Sequence, residues 1–198
     1  MKKVDSHNYS IVPYVPMDIT KIKTSMQVTD RILLERAEYY YKRGFVKYDQ
    51  KDYKGAIEDF TRAIEIEPDY SNGYYYRGIA KYDLMQYEEA IEDFTKTIEI
   101  DPGNAYALNN RGITKYDLKD YKGSIEDYSK AIEIKPDFTY AHNNRGVAKY
   151  EIKQYQGAIR DYTNALKIEP DYANAHNNRR DAIQALKDYG DTITEFER

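Results

Sequence analysis

The sequence predicts an all-α fold, an open solenoid of antiparallel helix pairs. Three observations predict it. Prolines recur every 34 residues, at Pro68, Pro102, Pro136 and Pro170, and glycines keep the same step at Gly44, Gly78, Gly112 and Gly146. Small residues (Ala56, Ala90, Ser124, Ala158) and aromatics (Phe60, Phe94, Tyr128, Tyr162) follow suit, and segments 105–138 and 139–172 share 18 of 34 positions. Between these marks the apolar residues fall at steps of three and four, the period of a helix with one buried face. A unit this short cannot bury that face alone, so its copies must stack.

The elements follow in order. Residues 1–29 carry Pro13, Pro16 and no helical period, yet Ile11, Val12, Tyr14, Val15, Met17 and Ile19 make them apolar for a solvated tail. The expectation is a leader, either flexible or extended against the solenoid or in a neighbour's groove. From about Thr29 the chain turns helical, and Ile32, Leu33 and Ala37 extend the first helix backwards over the first repeat. Four units follow, about 37–70, 71–104, 105–138 and 139–172, so the array with its extended first helix runs over 30–172.

In the third unit the first helix is expected over Tyr106 to Leu118 and the second over Tyr121 to Ile134. Asp52 and Asp120 stand where an N-cap would accept the free amides of a second helix. Each proline closes a pair, because the residue before it is driven out of helical geometry. Gly112 and Ser124 are expected at one level of both helices, letting the backbones approach. Residues 173–198 form a degenerate fifth unit with Arg180 in the glycine's place. They are expected to be a C-terminal capping helix, which an open solenoid end needs for solubility.

The series Gly44, Ala56, Phe60, Ala63, Pro68 resembles the tetratricopeptide repeat (TPR), and the resemblance covers about 37–172. It implies a right-handed superhelix whose first helices line a concave groove that binds peptides or partner proteins. The chain departs from the family pattern in two places. Leucine is usual before the glycine, but here arginine stands there (Arg43, Arg77, Arg111, Arg145, Arg179). Tyrosine is usual three residues after it, but here lysine stands there (Lys47, Lys81, Lys115, Lys149). An arginine on a core-facing stripe needs a carboxylate. The recurring Asp59, Asp93, Asp127 and Asp161 supply one, so a ladder is expected, for example Arg111 with Asp127 or with Asp93 of the neighbouring unit.

Composition narrows the function. Cysteine is absent, which removes disulfides, thiolate metal sites and cysteine nucleophiles. The net charge of −4 argues against nucleic acid as a partner. A mean hydropathy of −0.89 without a long apolar run argues against a membrane one. The residues after Met1-Lys2-Lys3 are polar where a secretory signal would be apolar, so a cytoplasmic protein is expected. His142 and His176 occupy equivalent repeat positions and read as packing residues rather than metal ligands. The paired carboxylates recur in every unit and are scaffold, and no nucleophile–base set stands out. No catalytic residue, metal or cofactor is expected.

The resemblance places the two residues before each arginine on or beside the concave face. It makes Tyr41, Tyr75, Asn109, Asn110, Asn143, Asn144, Asn177 and Asn178 candidate groove residues, joined by Tyr106 and Tyr140. Asparagine amides carry both donors and acceptors and could hold an extended peptide's backbone. Their placement is similar to the asparagine ladder of O-linked N-acetylglucosamine transferase. Asp83 and Asp117, within the acidic row Asp49, Asp83, Asp117 and Glu151, would give the groove negative edges. The expected partner is an unknown protein or extended peptide, basic and carrying an apolar anchor. Tyr41 and Phe45 stand where a chaperone-tail clamp would have lysine and asparagine, which argues against chaperone C-termini. The reading is a non-enzymatic interaction scaffold; the alternative is a homo-oligomer assembling through its N-terminal segment or capping helices.

Overall fold

The computed structural model describes residues 28–196, and the leader expected at the N-terminus lies, up to residue 27, outside the described residues. Among the described residues there are nine α-helices and no strand. They are α1 (Val28–Asp49), α2 (Tyr53–Ile66), α3 (Ser71–Asp83), α4 (Tyr87–Ile100), α5 (Ala105–Asp117), α6 (Tyr121–Ile134), α7 (Thr139–Glu151), α8 (Tyr155–Ile168) and α9 (Ala173–Phe196). The chain divides into two compact units, and the division falls inside α5, after Thr114. In the first unit α1 packs on α2, α2 on α3 and α3 on α4; in the second α6 packs on α7, α7 on α8 and α8 on α9.

Every pair turns the same way. Lys51, Met85, Lys119 and Lys153 take left-handed backbone, with φ of 63°, 60°, 64° and 60°. At the first turn the Lys51 N–H donates to the Tyr48 carbonyl at 2.8 Å, and the Asp52 N–H donates to Lys47 at 2.9 Å. This nested pair is the Schellman closure, which glycine ordinarily supports. Asp52 and Asp120 then cap the second helices, accepting from the Gly55 and Gly123 amides at 3.0 and 2.9 Å. Gln86 and Gln154 take the same place in the other two turns without a side-chain cap bond.

The core repeats with the sequence. Phe60, Phe94, Tyr128 and Tyr162 are 0–1% exposed. A Cβ added at Gly44 or Gly78 would stand 2.8 or 2.9 Å from a ring carbon of Phe60 or Phe94. At these two levels the glycine makes room for the second helix's ring. The tyrosines ending first helices pack on those opening second helices: Tyr48 on Tyr53, Tyr82 on Tyr87, Tyr116 on Tyr121 and Tyr150 on Tyr155, with ring centroids 5.2–5.5 Å apart.

The arginine–aspartate ladder forms, and each described rung stays within its own repeat. Arg43 grips Asp59 through Nε and Nη2 at 2.7 and 2.5 Å, and Arg77 grips Asp93 at 2.8 and 2.6 Å. Arg145 and Asp161 repeat the fork. Such bidentate pairs fix geometry as well as charge. The lysine that replaces the usual tyrosine joins the same acid: Lys47 on Asp59 at 3.0 Å, Lys81 on Asp93 at 2.7 Å, Lys115 on Asp127 and Lys149 on Asp161 at 2.8 Å. The remaining arginine nitrogen reaches back to the preceding repeat, Arg77 to Thr61, Arg111 to Thr95 and Arg145 to Ser129, at 3.0–3.1 Å. One side chain therefore ties its own pair together and sets the register of the next.

Candidate peptide-binding groove

The first helices place the candidate residues at different depths. In the first unit Tyr41 is half-buried against Phe60, Tyr70 and Tyr76, with centroids 6.1, 5.5 and 5.6 Å away. Phe45 stacks edge-on to Tyr76 at 5.4 Å. Tyr75 lies in the core at 0% exposure, and half-buried Tyr106 packs against that core. Asn109 and Asn110 are buried. The Asn109 amide donates to Asn110 Oδ1 at 3.2 Å, and the Asn110 amide donates to the Tyr75 hydroxyl at 3.0 Å. In the second unit buried Asn143 donates to buried Asn144 at 3.4 Å, and half-buried Asn178 donates to Asn143 Oδ1 at 3.0 Å. Asn177 is exposed on α9 and Tyr140 rests edge-on against Tyr172.

The asparagine row thus ties repeat to repeat. Asn110 to Tyr75 and Asn178 to Asn143 both span 35 residues, one place out of step with the 34-residue period. Each amide has two N–H groups and two lone pairs. The tie occupies one of each in Asn110 and Asn143 and fixes how the amide points.

The acidic row is held by tyrosines of the preceding repeat. The Tyr48 hydroxyl donates to Asp83 at 2.6 Å, and the Tyr116 hydroxyl donates to Glu151 at 3.2 Å. Burial pushes the half-buried Asp83 carboxyl up from the usual range, and the Tyr48 bond offsets part of that. Burial also holds the Tyr48 and Tyr116 phenols above their ordinary value. Asp117 is half-buried at the end of α5.

In the second unit a depression of about 620 Å³ brings Tyr150, Glu151, Tyr162 and Asn178 together with Asp181 and Asp188 of α9. Three carboxylates and two tyrosines line it, and among the described residues no lysine or arginine does. Glu151 and Asn178 were expected at the groove. Asp181 and Asp188 were missed, although their seven-residue spacing puts them on one face of a helix. His142 is buried as a packing residue and His176 is exposed: the Nε2–H of His142 donates to the Pro136 carbonyl at 3.0 Å and that of His176 to Pro170 at 2.7 Å. A carbonyl only accepts, so Nε2 carries the proton in both. Among the described residues no group of three or more metal-ligating side chains is gathered.

Comparison with known proteins agrees with this architecture. The tetratricopeptide repeat profile matches residues 37–70, 71–104 and 139–172, and a second TPR repeat profile matches 114–153. No curated protein matches the chain. A crystal structure of MamA protein is similar at a TM-score of 0.73 and 20% identity, covering 82% of this chain and 89% of MamA. The first TPR of Spaghetti (RPAP3), solved with the HSP90 peptide SRMEEVD, is 28% identical at a TM-score of 0.58, covering 59% of this chain and 93% of its own. The Arabidopsis OM64 TPR domain is 25% identical at 0.57, covering 58% and 94%. With the repeat profile matched over more than half its length, this chain belongs to the tetratricopeptide repeat family, and its fold is the all-α TPR solenoid.

Proposed function

We propose that this chain is a non-enzymatic interaction scaffold that holds an extended peptide of a partner protein against its first helices. The observation that carries the reading is the carboxylate-lined depression at Glu151, Asp181 and Asp188, beside the ring of Tyr150. A lysine or arginine of the peptide would enter it, meeting charge on three sides and an aromatic face. The half-buried Tyr140, and Tyr106 in the first unit, offer rings for an apolar anchor. Asn177 and the free edge of Asn178 offer amides to the peptide backbone.

The TPR of RPAP3 was solved with a peptide whose last residues are EEVD. Such a tail would meet like charge at Glu151 and Asp188, and the Tyr41–Phe45–Tyr76 cluster offers it no cation. The proposed occupant is therefore basic, and chaperone tails are not proposed as its source. The reading makes the protein a cytoplasmic adaptor, with neither nucleic acid nor membrane as its partner. Among the described residues no helix is long and apolar enough to cross a membrane.

Fluorescence anisotropy with a labelled lysine- and leucine-containing peptide, beside its glutamate-for-lysine counterpart, tests the reading. The lysine peptide should bind more tightly, and Glu151→Gln with Asp188→Asn should weaken it tenfold or more. Equal binding of the two peptides, or no change in the double variant, would sink the proposal.

A further inference from the structure

We propose that the outer face of α9 is a docking site for an acidic helix of a partner protein. The surface shares Asp181 and Gln184 with the depression above, but the inference does not rest on that reading. It starts from an arginine without its acid. In the first, second and fourth repeats the arginine before the glycine is gripped by an aspartate 16 residues later, on the returning second helix. Arg179 occupies that place in α9. It is half-buried, and among the described residues it makes no hydrogen bond or ion pair. α9 runs unbroken from Ala173 to Phe196. The residue 16 places on therefore lies about 24 Å down the same helix instead of facing Arg179 from a second one.

What surrounds Arg179 is a docking surface in composition. Besides Asp181, a depression of about 460 Å³ on α9 is lined by Arg179, Arg180, Ile183, Gln184 and Lys187, with His176. Their spacing of three and four residues makes one continuous stripe. Ile183 is 40% exposed at its centre. Arg180 pairs with the adjoining Asp181, in an exposed pair that stabilises little. A carboxylate brought to Arg179 would complete the fork already formed at Arg145, with the arginine partly desolvated beforehand.

The same residues select the occupant. At Gly44, Gly78 and Gly146 a side chain would collide with the ring of the second helix. Arg180 stands at the equivalent position, so a helix with an aromatic residue there cannot seat. That excludes α2, α4, α6 and α8 of a second copy, in which Phe or Tyr follows the aspartate directly. Two copies of α9 packed antiparallel about Ile183 would set Arg179 and Arg180 against Lys187, like charge on like charge. The face therefore fits a different protein, through a helix with Asp or Glu flanking an aliphatic anchor and no aromatic ring opposite Arg180.

The test titrates a labelled 18-residue helical peptide of alanine, one leucine stripe and flanking glutamates into the full chain. A glutamine-for-glutamate version serves as control. The glutamate peptide should bind, the control should bind at least tenfold more weakly, and Arg179→Gln and Ile183→Glu should each weaken binding at least tenfold. Circular dichroism checks that these surface variants stay folded. Failure of the glutamate peptide to bind at millimolar concentration would overturn the proposal. So would equal binding of both peptides, or of wild type and Arg179→Gln. A dimer in sedimentation that Arg179→Gln dissolves would assign the face to a second copy and overturn the choice of occupant.

Discussion

The Cβ that Gly146 lacks would lie 2.6 Å from Cε1 of Tyr162. Tyr162 is 1% exposed, so its ring has nowhere to retreat. Gly146→Ala should therefore cost about 1–3 kcal/mol, the usual penalty for overfilling a packed core. Gly103→Ala is the control. Its nearest atom would be Asp101 Oδ1 at 3.5 Å and its φ is not positive, so stability should hold or rise slightly. Urea midpoints of the two variants check the contrast.

Asp161 accepts both Arg145 and Lys149 while its own side chain is 3% exposed. Asp161→Asn would leave two cations facing a neutral amide. The expected loss is about 3 kcal/mol, the low end for breaking a buried pair, because the cations keep some contact with solvent. Asp59→Asn should cost less, since Arg43 is 44% exposed against 18% for Arg145. Burial raises the Asp59 carboxyl, but the bonds from Arg43 and Lys47 outweigh it and hold it below the usual range. Unfolded, it titrates near about pH 3.9. Between the two values the unfolded chain binds the extra proton. The pair's stabilisation is thus complete above about pH 4 and lost as pH falls through the folded value. The gap between wild type and Asp59→Asn should narrow on acidification, and a gap that stays constant to acid unfolding would contradict this.

Met85 and Lys153 hold left-handed backbone without being glycine, and Met85 is 75% exposed. Met85→Gly should raise stability by up to about 1 kcal/mol, by removing the steric cost of that conformation. The greater freedom of glycine in the unfolded chain offsets part of the gain. Thermal melts of single and paired Met85→Gly and Lys153→Gly variants would show whether the gains add.

Burial pushes the phenols of Tyr41, Tyr48 and Tyr162 well above their ordinary value. In the unfolded chain they ionise near about pH 10. Their neutral, folded form is stabilising below that pH, and the contribution is lost as pH rises above it. Tyrosinate absorbance and circular dichroism followed together should show exposed tyrosines titrating first. The buried set should ionise only with loss of helix. All 23 tyrosines titrating near pH 10 with helicity intact would contradict the burial.

Much of this architecture was legible in the chain. The helix expected over Tyr121–Ile134 is α6 to the residue, and Asp52 and Asp120 cap as their type and place require. The need of each core-facing arginine for an acid was legible too. Its choice of acid was not, since aspartates of its own and the preceding unit were both plausible. The closing turns lacked their usual glycine, so nothing in residue type marked Lys51 or Met85 as left-handed. The asparagine row read as free amides because sequence shows where along a helix a side chain leaves, not what stands opposite.

The sequence by itself determined the period, the helices, their buried faces and the family, because these rest on local propensity and on spacing along one chain. Only the tertiary structure decided that Arg145 takes Asp161, that Asn178 is tied to Asn143, and that Asp181 and Asp188 join Glu151 around one depression. It also showed that Arg179, among the described residues, makes no ion pair. Each of these depends on the offset and rotation between neighbouring helices. A shift of one residue along a helix moves a side chain about 100° round its axis, so partners across helices are settled only when the helices pack.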